Sequence, residues 1–84
     1  MAYELLIDKH AGKDLAKLPK DLAVRIFLKI KETKEDPERY WTRLEGRKDY
    51  KLRVGDYRVI ADIDPNRKMI QVTKIGHRKK IYDA

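Results

Sequence analysis

Residues 50–58 have the pattern of a β-hairpin, and that hairpin constrains the fold of the chain more than any other stretch. Strand-forming residues flank the pair Gly55-Asp56, and a glycine first in a two-residue turn suits the type II′ geometry, which needs a positive φ there. A two-residue turn also fixes the register, so Arg53 is expected opposite Arg58. Because side chains alternate between the faces of a sheet, one face then carries the apolar residues Tyr50, Leu52, Val54, Tyr57, Val59, Ala61 and Ile63.

The opposite face of this hairpin carries three cations close together, Lys51, Arg53 and Arg58. Like charges opposite one another destabilise a sheet, so their presence there predicts a role outside folding. The net positive charge of the chain lies entirely in the half that contains this hairpin. Residues 1–38 hold 8 basic and 8 acidic side chains, whereas residues 39–84 hold 13 basic and 6 acidic ones. This segregation favours a polyanionic partner, a nucleic acid or an acidic protein, over an evenly solvated basic surface.

Length and composition indicate one small domain that spans residues 1–84. The chain has no cysteine, which excludes disulfides and thiolate chemistry. No apolar run approaches the roughly 20 residues that span a bilayer, and the N-terminus lacks the pattern of a signal peptide. We therefore expect a cytoplasmic protein without a membrane partner.

The order of the remaining elements predicts an α+β fold, β-α-α-β-β-β. A strand is expected from Tyr3 to Ile7, and Asp8 can cap a short helix that runs to about Leu18. A second helix, with Pro19 in its first turn, is expected to end at Asp36-Pro37 and to carry the apolar stripe Leu22, Ala23, Ile26, Phe27 and Ile30. These two helices form a hairpin whose apolar faces must pack on a small, mainly antiparallel sheet.

The last strand is predicted from a turn at residues 64–67. A four-residue loop there pairs Ala61 with Ile70, and this register keeps Ile70 and Val72 on the core face. Thr73 then lies opposite Arg58. Strand parity also places His77 on the face of Arg58, unless Gly76 breaks the alternation. In the connecting segment 38–49, Trp41 is expected in the core, and a short final strand is possible at residues 80–82.

The residue types narrow the chemistry that the cationic surface can support. The chain has no serine, only two histidines that lie far apart, and no glycine-rich phosphate loop, so we expect neither a metal nor a cofactor. The cations could bind RNA and promote attack of its own 2′-OH on the neighbouring phosphate, which needs a base, an acid and positive charge around the phosphorane. Arginine already carries its proton at neutral pH, so it cannot accept another and cannot be the base. The candidates are therefore a lysine crowded by cations, such as Lys51, and a histidine, such as His77.

Two C-terminal motifs resemble the RelE/ParE superfamily of toxins from prokaryotic toxin–antitoxin pairs. They are Lys-Leu-Arg-Val-Gly-Asp-Tyr-Arg-Val-Ile at residues 51–60 and Ile-Gly-His-Arg-Lys-Lys-Ile-Tyr at residues 75–82. The resemblance implies a RelE-like fold, with a helical hairpin against an antiparallel sheet. It also implies a ribosome-dependent endonuclease that cuts mRNA in the A site, a RelB-like antitoxin, and operator DNA bound only through the antitoxin complex.

The resemblance also assigns roles to residues of this chain. It implies that Lys51 is the base or stabilises the phosphorane, that Arg58 clamps phosphate, that Arg78 is a phosphate ligand and acid, and that Tyr82 stacks on a base or assists proton transfer. His77 stands where some members have lysine, and Asp49 occupies the place of the first of two family lysines. The base stays open between Lys51, His77 and Tyr82. The remaining cations of both motifs and of the lead-in before the hairpin are expected to bind RNA: Arg47, Lys48, Arg53, Lys79 and Lys80.

Two other functions fit the same resemblance. A ParE-like toxin would poison DNA gyrase through protein contacts and would not need the catalytic set. A non-catalytic module that binds RNA or protein could use the same scaffold. The matches at Lys51, Arg58, Arg78 and Tyr82 favour the ribonuclease.

Overall fold

The computed structural model describes residues 2–77 and residue 79, and it confirms the α+β class. A five-stranded sheet has the order β1-β5-β4-β3-β2, in which β1 runs parallel to β5 and the other neighbouring pairs are antiparallel. The elements in chain order are β1 (Glu4–Ile7), α1 (Lys9–Ala16), α2 (Lys20–Glu32), α3 (Pro37–Tyr40), β2 (Thr42–Arg43), β3 (Tyr50–Val54), β4 (Tyr57–Asp64) and β5 (Met69–His77). No helix in this part of the chain is long and apolar enough to cross a membrane.

The central hairpin is confirmed. Its strands β3 and β4 pair Arg53 with Arg58 and Lys51 with Ile60, as the two-residue turn requires. Gly55 has a φ of +59°, the left-handed conformation that glycine adopts without a steric penalty. The predicted apolar face of the hairpin forms the core together with α1, α2 and residues of β5.

The helical hairpin matches its prediction at its start and departs from it at its end. Asp8 caps α1, because its Oδ1 atom accepts a hydrogen bond from the backbone N–H of Ala11 at 2.9 Å. The second helix was expected to reach Asp36-Pro37 but ends at Glu32, and the Asp-Pro pair opens the short helix α3 instead. The connecting segment 38–49 therefore also contains the end of α3 and the two-residue strand β2. Such short elements have too few residues to show a periodic pattern.

Phe27 was predicted to belong to the apolar stripe of α2, and this part of the prediction was wrong. Ile26 and Ile30 are fully buried, whereas the side chain of Phe27 is 36% exposed. Successive residues of a helix lie about 100° apart, so Phe27 turns away from the sheet when Ile26 faces it. The ammonium group of Lys31 lies 5.8 Å from the centre of the Phe27 ring. Trp41 is buried, as expected, and its indole N–H donates a hydrogen bond to the hydroxyl of buried Thr33 at 2.9 Å.

The register of the last strand was predicted wrongly at two points. The loop has four residues but occupies 65–68, so Ile70 pairs with Ile63 and Val72 pairs with Ala61. The carboxylate of Asp64 fixes this loop, since it accepts hydrogen bonds from the backbone N–H groups of Asn66 and Arg67. Ile70 and Val72 still lie on the core face, because the register is shifted by two residues, an even number.

The second error arises from a β-bulge at Thr73. Ala61 pairs with Val72 but its neighbour Ile60 pairs with Lys74, so Thr73 is an extra residue on β5. Beyond the bulge every side chain changes face. Gly76, and not Thr73, therefore lies opposite Arg58, and His77 lies opposite Tyr57 on the core side of the sheet. The prediction that His77 shares the face of Arg58 was wrong because the alternation breaks at Thr73.

Candidate nucleic-acid interface

The cationic site lies on the face of the sheet that the helices leave open. Arg53 and Arg58 are direct cross-strand neighbours, and Lys51 lies one pair further along on the same face. Lys51 and Arg58 are half-buried, Arg53 is exposed, and the Nε atom of Arg58 is screened from solvent. These three residues, which we call the cation patch, meet as the turn register predicted.

An apolar pair limits the cation patch on one side. Ile60 lies directly opposite Lys51 on the neighbouring strand. It is buried against Leu44, which belongs to the segment before β3. Beyond this pair the same face carries Asp62 and Asp64, which lie opposite Gln71 and Met69 of β5. The open face of the sheet is therefore basic at the hairpin-turn end and acidic at the other end. A phosphate backbone is attracted to the first end and repelled from the second.

The lead-in to the hairpin is partly neutralised. A guanidinium nitrogen of Arg47 lies 2.6 Å from a carboxylate oxygen of Asp49. The backbone carbonyl of Arg47 also accepts a hydrogen bond from Nε of Arg43 at 3.1 Å. Lys48, which lies between Arg47 and Asp49 in the sequence, is exposed. Of the two cations predicted to bind RNA in this segment, Arg47 thus has a carboxylate partner in the same loop.

His77 lies apart from the cation patch. Its ring packs edge-to-face on Tyr57, with ring centroids 5.4 Å apart and an interplanar angle of 78°. Its Nδ1 atom accepts a hydrogen bond from the backbone N–H of Lys79 at 3.2 Å. The structure therefore does not bring this imidazole together with Lys51 and Arg58. Three other residues of the predicted site, Arg78, Lys80 and Tyr82, lie outside the described residues, and their roles stay predictions.

The chemistry available at the cation patch is phosphate binding. Arginine presents a planar fork of donors that can bind a phosphate through two hydrogen bonds, and lysine adds a compact charge. No group of three His, Cys, Asp or Glu side chains that could hold a metal ion is formed by residues 2–77 and 79.

Comparison with known proteins identifies the family of this chain. The family model for ParE toxins of type II toxin–antitoxin systems (parDE) matches residues 5–82. The chain belongs to this toxin family. A comparison with curated proteins gives no match.

Solved structures similar to the toxin are RelE proteins from both archaea and bacteria. The archaeal RelE–RelB complex from Pyrococcus horikoshii contains a chain with 31% identity and a TM-score of 0.79, and the match covers 96% of the toxin and 100% of that chain. A chain of the intact RelBE complex from E. coli has 26% identity and a TM-score of 0.76, with 90% and 96% coverage. A chain of the RelBE2 complex from Mycobacterium tuberculosis shares the fold at a TM-score of 0.82, with 23% identity and 93% and 100% coverage. The fold of the toxin is thus RelE-like.

Sequence reasoning missed one cation of the toxin's open face, Lys74. The bulge at Thr73 turns Lys74 onto this face, opposite Ile60. A signal for the bulge is present in the sequence, because Val72 and Ile75 are three residues apart and cannot share a face in a regular strand. Both are buried in the same core, which is possible only with an extra residue between them.

Proposed function

We propose that this toxin is a ribosome-dependent endoribonuclease that cuts mRNA in the A site and inhibits translation. The observation that carries the proposal is the cation patch, in which Lys51, Arg53 and Arg58 converge on an open face. Folding alone does not favour Arg53 directly opposite Arg58. A phosphate between them would offset the repulsion of the two guanidinium groups.

The proposed reaction needs no metal. The 2′-oxygen of the RNA attacks the adjacent phosphorus, the new P–O2′ bond forms and the P–O5′ bond breaks. The proton of the 2′-OH goes to a base, and the 5′-oxygen takes a proton from an acid. Arg58 would hold the phosphate and stabilise the charge that develops on its oxygens. Arg78 as acid and Tyr82 as a stacking residue complete the proposal by resemblance.

The placement of His77 changes the choice of base. Of the two nitrogen bases in question, Lys51 shares the face of Arg58, whereas His77 packs on Tyr57 on the other side of the sheet. We therefore assign the base, or the stabiliser of the phosphorane, to Lys51, with Tyr82 as the other candidate. Such a sparse site depends on the ribosome to hold the 2′-OH in line with the phosphate.

The proposed cellular role follows from the same family. The toxin would act in the cytoplasm on mRNA bound to the ribosome, and a RelB-like antitoxin would neutralise it. The toxin would reach operator DNA only within the antitoxin complex. Because a cation patch attracts an acidic partner through screened charges, affinity for the antitoxin should fall as salt rises. An affinity that does not change with salt would contradict this electrostatic account.

Gyrase inhibition is the second candidate function, and the match of the ParE toxin model to residues 5–82 favours it. Under this alternative the toxin would trap gyrase on DNA through protein contacts. The cation patch would then serve protein binding and not catalysis.

Primer extension on mRNA translated in a cell-free system tests these functions. The variant Arg58→Ala should reduce cleavage about 100-fold or more, the usual effect of removing a group that stabilises the transition state. Arg67→Ala is the matched control, since Arg67 lies in the β4–β5 loop with its side chain 80% exposed, and its Nε atom is 3.9 Å from a carboxylate oxygen of Asp64. Codon-phased cuts that survive in the control and vanish in Arg58→Ala support the nuclease. Intact mRNA with trapped gyrase–DNA complexes supports the second function, and intact mRNA without them supports a non-catalytic binding module.

A further inference from the structure

An aspartate on the open face of the sheet, Asp62, is not explained by folding. It lies on β4 with its side chain exposed, and within the described part of the chain it forms neither an ion pair nor a side-chain hydrogen bond. Aspartate is disfavoured in strands. Protection of a sheet edge does not explain it either, because β4 has a neighbouring strand on both sides. Asp64 differs, since its carboxylate holds the β4–β5 loop and lies 3.9 Å from Arg67.

The cations of the open face are arranged across the strands. One row holds Arg53 on β3 and Arg58 on β4, and the β5 residue in this row is Gly76, which adds no side chain. The next row holds Lys51 on β3 and Lys74 on β5. Lys74 is exposed, and two strand spacings place it about 10 Å from Lys51. Positive charge therefore extends from β3 to β5 within two rows, which we call the cationic rows.

The rows that follow carry the opposite charge. Asp62 occupies the first of them, and Asp64 occupies the second, in line with Met69 of β5 and with exposed Glu4 of β1. Arg58 and Asp62 are four residues apart on one strand, a distance of about 13 Å. The Debye length at physiological salt is only about 8 Å. A phosphate displaced from Arg58 toward Asp62 would therefore lose attraction and gain repulsion.

We propose that Asp62 is a specificity residue that confines bound RNA to the cationic rows. The RNA backbone then crosses the strands from β3 to β5, with Lys74 as a contact beyond the cation patch, and it does not run along β4. Non-specific affinity rises with the number of phosphates that a protein contacts, so a short footprint keeps the affinity for free RNA low. RNA that the ribosome already holds needs no longer footprint. The inference rests on the proposed function in taking the polyanion to be RNA.

Anisotropy titrations of purified toxin with fluorescent RNA test the proposal, with 2′-O-methyl groups on the RNA to block cleavage. For a decamer, Asp62→Asn should raise the affinity about threefold by removing one repulsion in water. Asp62→Lys should raise it about tenfold and steepen the dependence of log K on log salt by about 0.7, the value for one added phosphate contact. A trinucleotide held on the cationic rows should bind both variants within about twofold of the wild type.

Two further variants complete the experiment. Asp21→Lys is the matched control, because it makes the same charge change as Asp62→Lys at an exposed position in the first turn of α2. It should leave the affinity for the decamer within about twofold. Lys74→Ala should weaken binding of both oligonucleotides and reduce the salt dependence by about 0.7. Circular-dichroism melts of each variant verify that the fold is kept.

Several results would overturn the inference. An unchanged affinity of Asp62→Asn for the decamer would show that the wild-type carboxylate repels no RNA. An equal gain in Asp21→Lys would indicate a general effect of net charge, and an equal gain for the trinucleotide would place Asp62 beside the cationic rows and not beyond them. Cleavage does not enter these titrations. If the wild-type toxin fails to cut mRNA, the nuclease proposal falls while the two oligonucleotides still decide the role of Asp62.

Discussion

The buried hydrogen bond between Trp41 and Thr33 should contribute measurably to stability. Thr33 is fully buried at the end of α2; its hydroxyl donates to the carbonyl oxygen of Ile30 at 2.7 Å and accepts from the Trp41 indole at 2.9 Å. In Thr33→Val the shape of the side chain is nearly kept, but the indole N–H has no acceptor. The carbonyl of Ile30 keeps a partner, since it also accepts from the backbone N–H of Thr33 at 3.1 Å.

The magnitude follows from the single group that is left unsatisfied. A buried donor without an acceptor costs about 1–3 kcal/mol. In a domain of this size each kcal/mol lowers Tm by about 4–8 °C. Chemical unfolding of Thr33→Val followed by circular dichroism should therefore show a clear loss in the free energy of unfolding.

A double-mutant cycle with Trp41→Phe separates this bond from changes in packing. The phenylalanine variant has no indole N–H, so Thr33→Val should cost about 1–3 kcal/mol less in that background than in the wild type. Equal costs in the two backgrounds would refute the reasoning, because the hydroxyl would then contribute only through its contacts with the helix.

Further predictions concern the turn, the first helix and the site. Gly55→Ala should destabilise the protein by about 1 kcal/mol in thermal melts, because Gly55 has a φ of +59°. Gly12 lies inside α1 with open space around it, so Gly12→Ala should stabilise the protein by about 0.5–1 kcal/mol in the same measurement. Asp8→Ala should lower the free energy of unfolding by about 0.5–2 kcal/mol through loss of the helix cap; an unchanged value in urea titration would contradict that role. Asp49→Asn should strengthen RNA binding at low salt, because it releases Arg47 from its 2.6 Å ion pair, and equal affinities of variant and wild type would show that this pair does not limit binding.

The features that depend on a few neighbouring residues could be predicted from the sequence. The hairpin register and the cation patch follow from the two-residue turn at Gly55, and the start of α1 follows from Asp8. The bulge at Thr73 lies next to a contact between residues that are distant in sequence. Beyond it, the backbone N–H of Ile75 donates to the carboxylate of Asp14 at 3.1 Å, across 61 residues. The prediction assumed strict alternation along β5 and did not use the spacing of Val72 and Ile75, so it misplaced His77 and missed Lys74.

Because Thr73 is an extra residue, the face that each later residue of β5 occupies depends on the number of residues in the strand more than on their identity. Deleting it would exchange the faces of all later residues, so Lys74 would point into the core and Ile75 into solvent. Substitutions in this segment would keep the exchange of faces intact. A gain or loss of one residue would undo it and would move Ile75 and His77 to the opposite face of the sheet. Across natural variants of this toxin, the spacing between Val72 and Ile75 should therefore vary less than the residues within it.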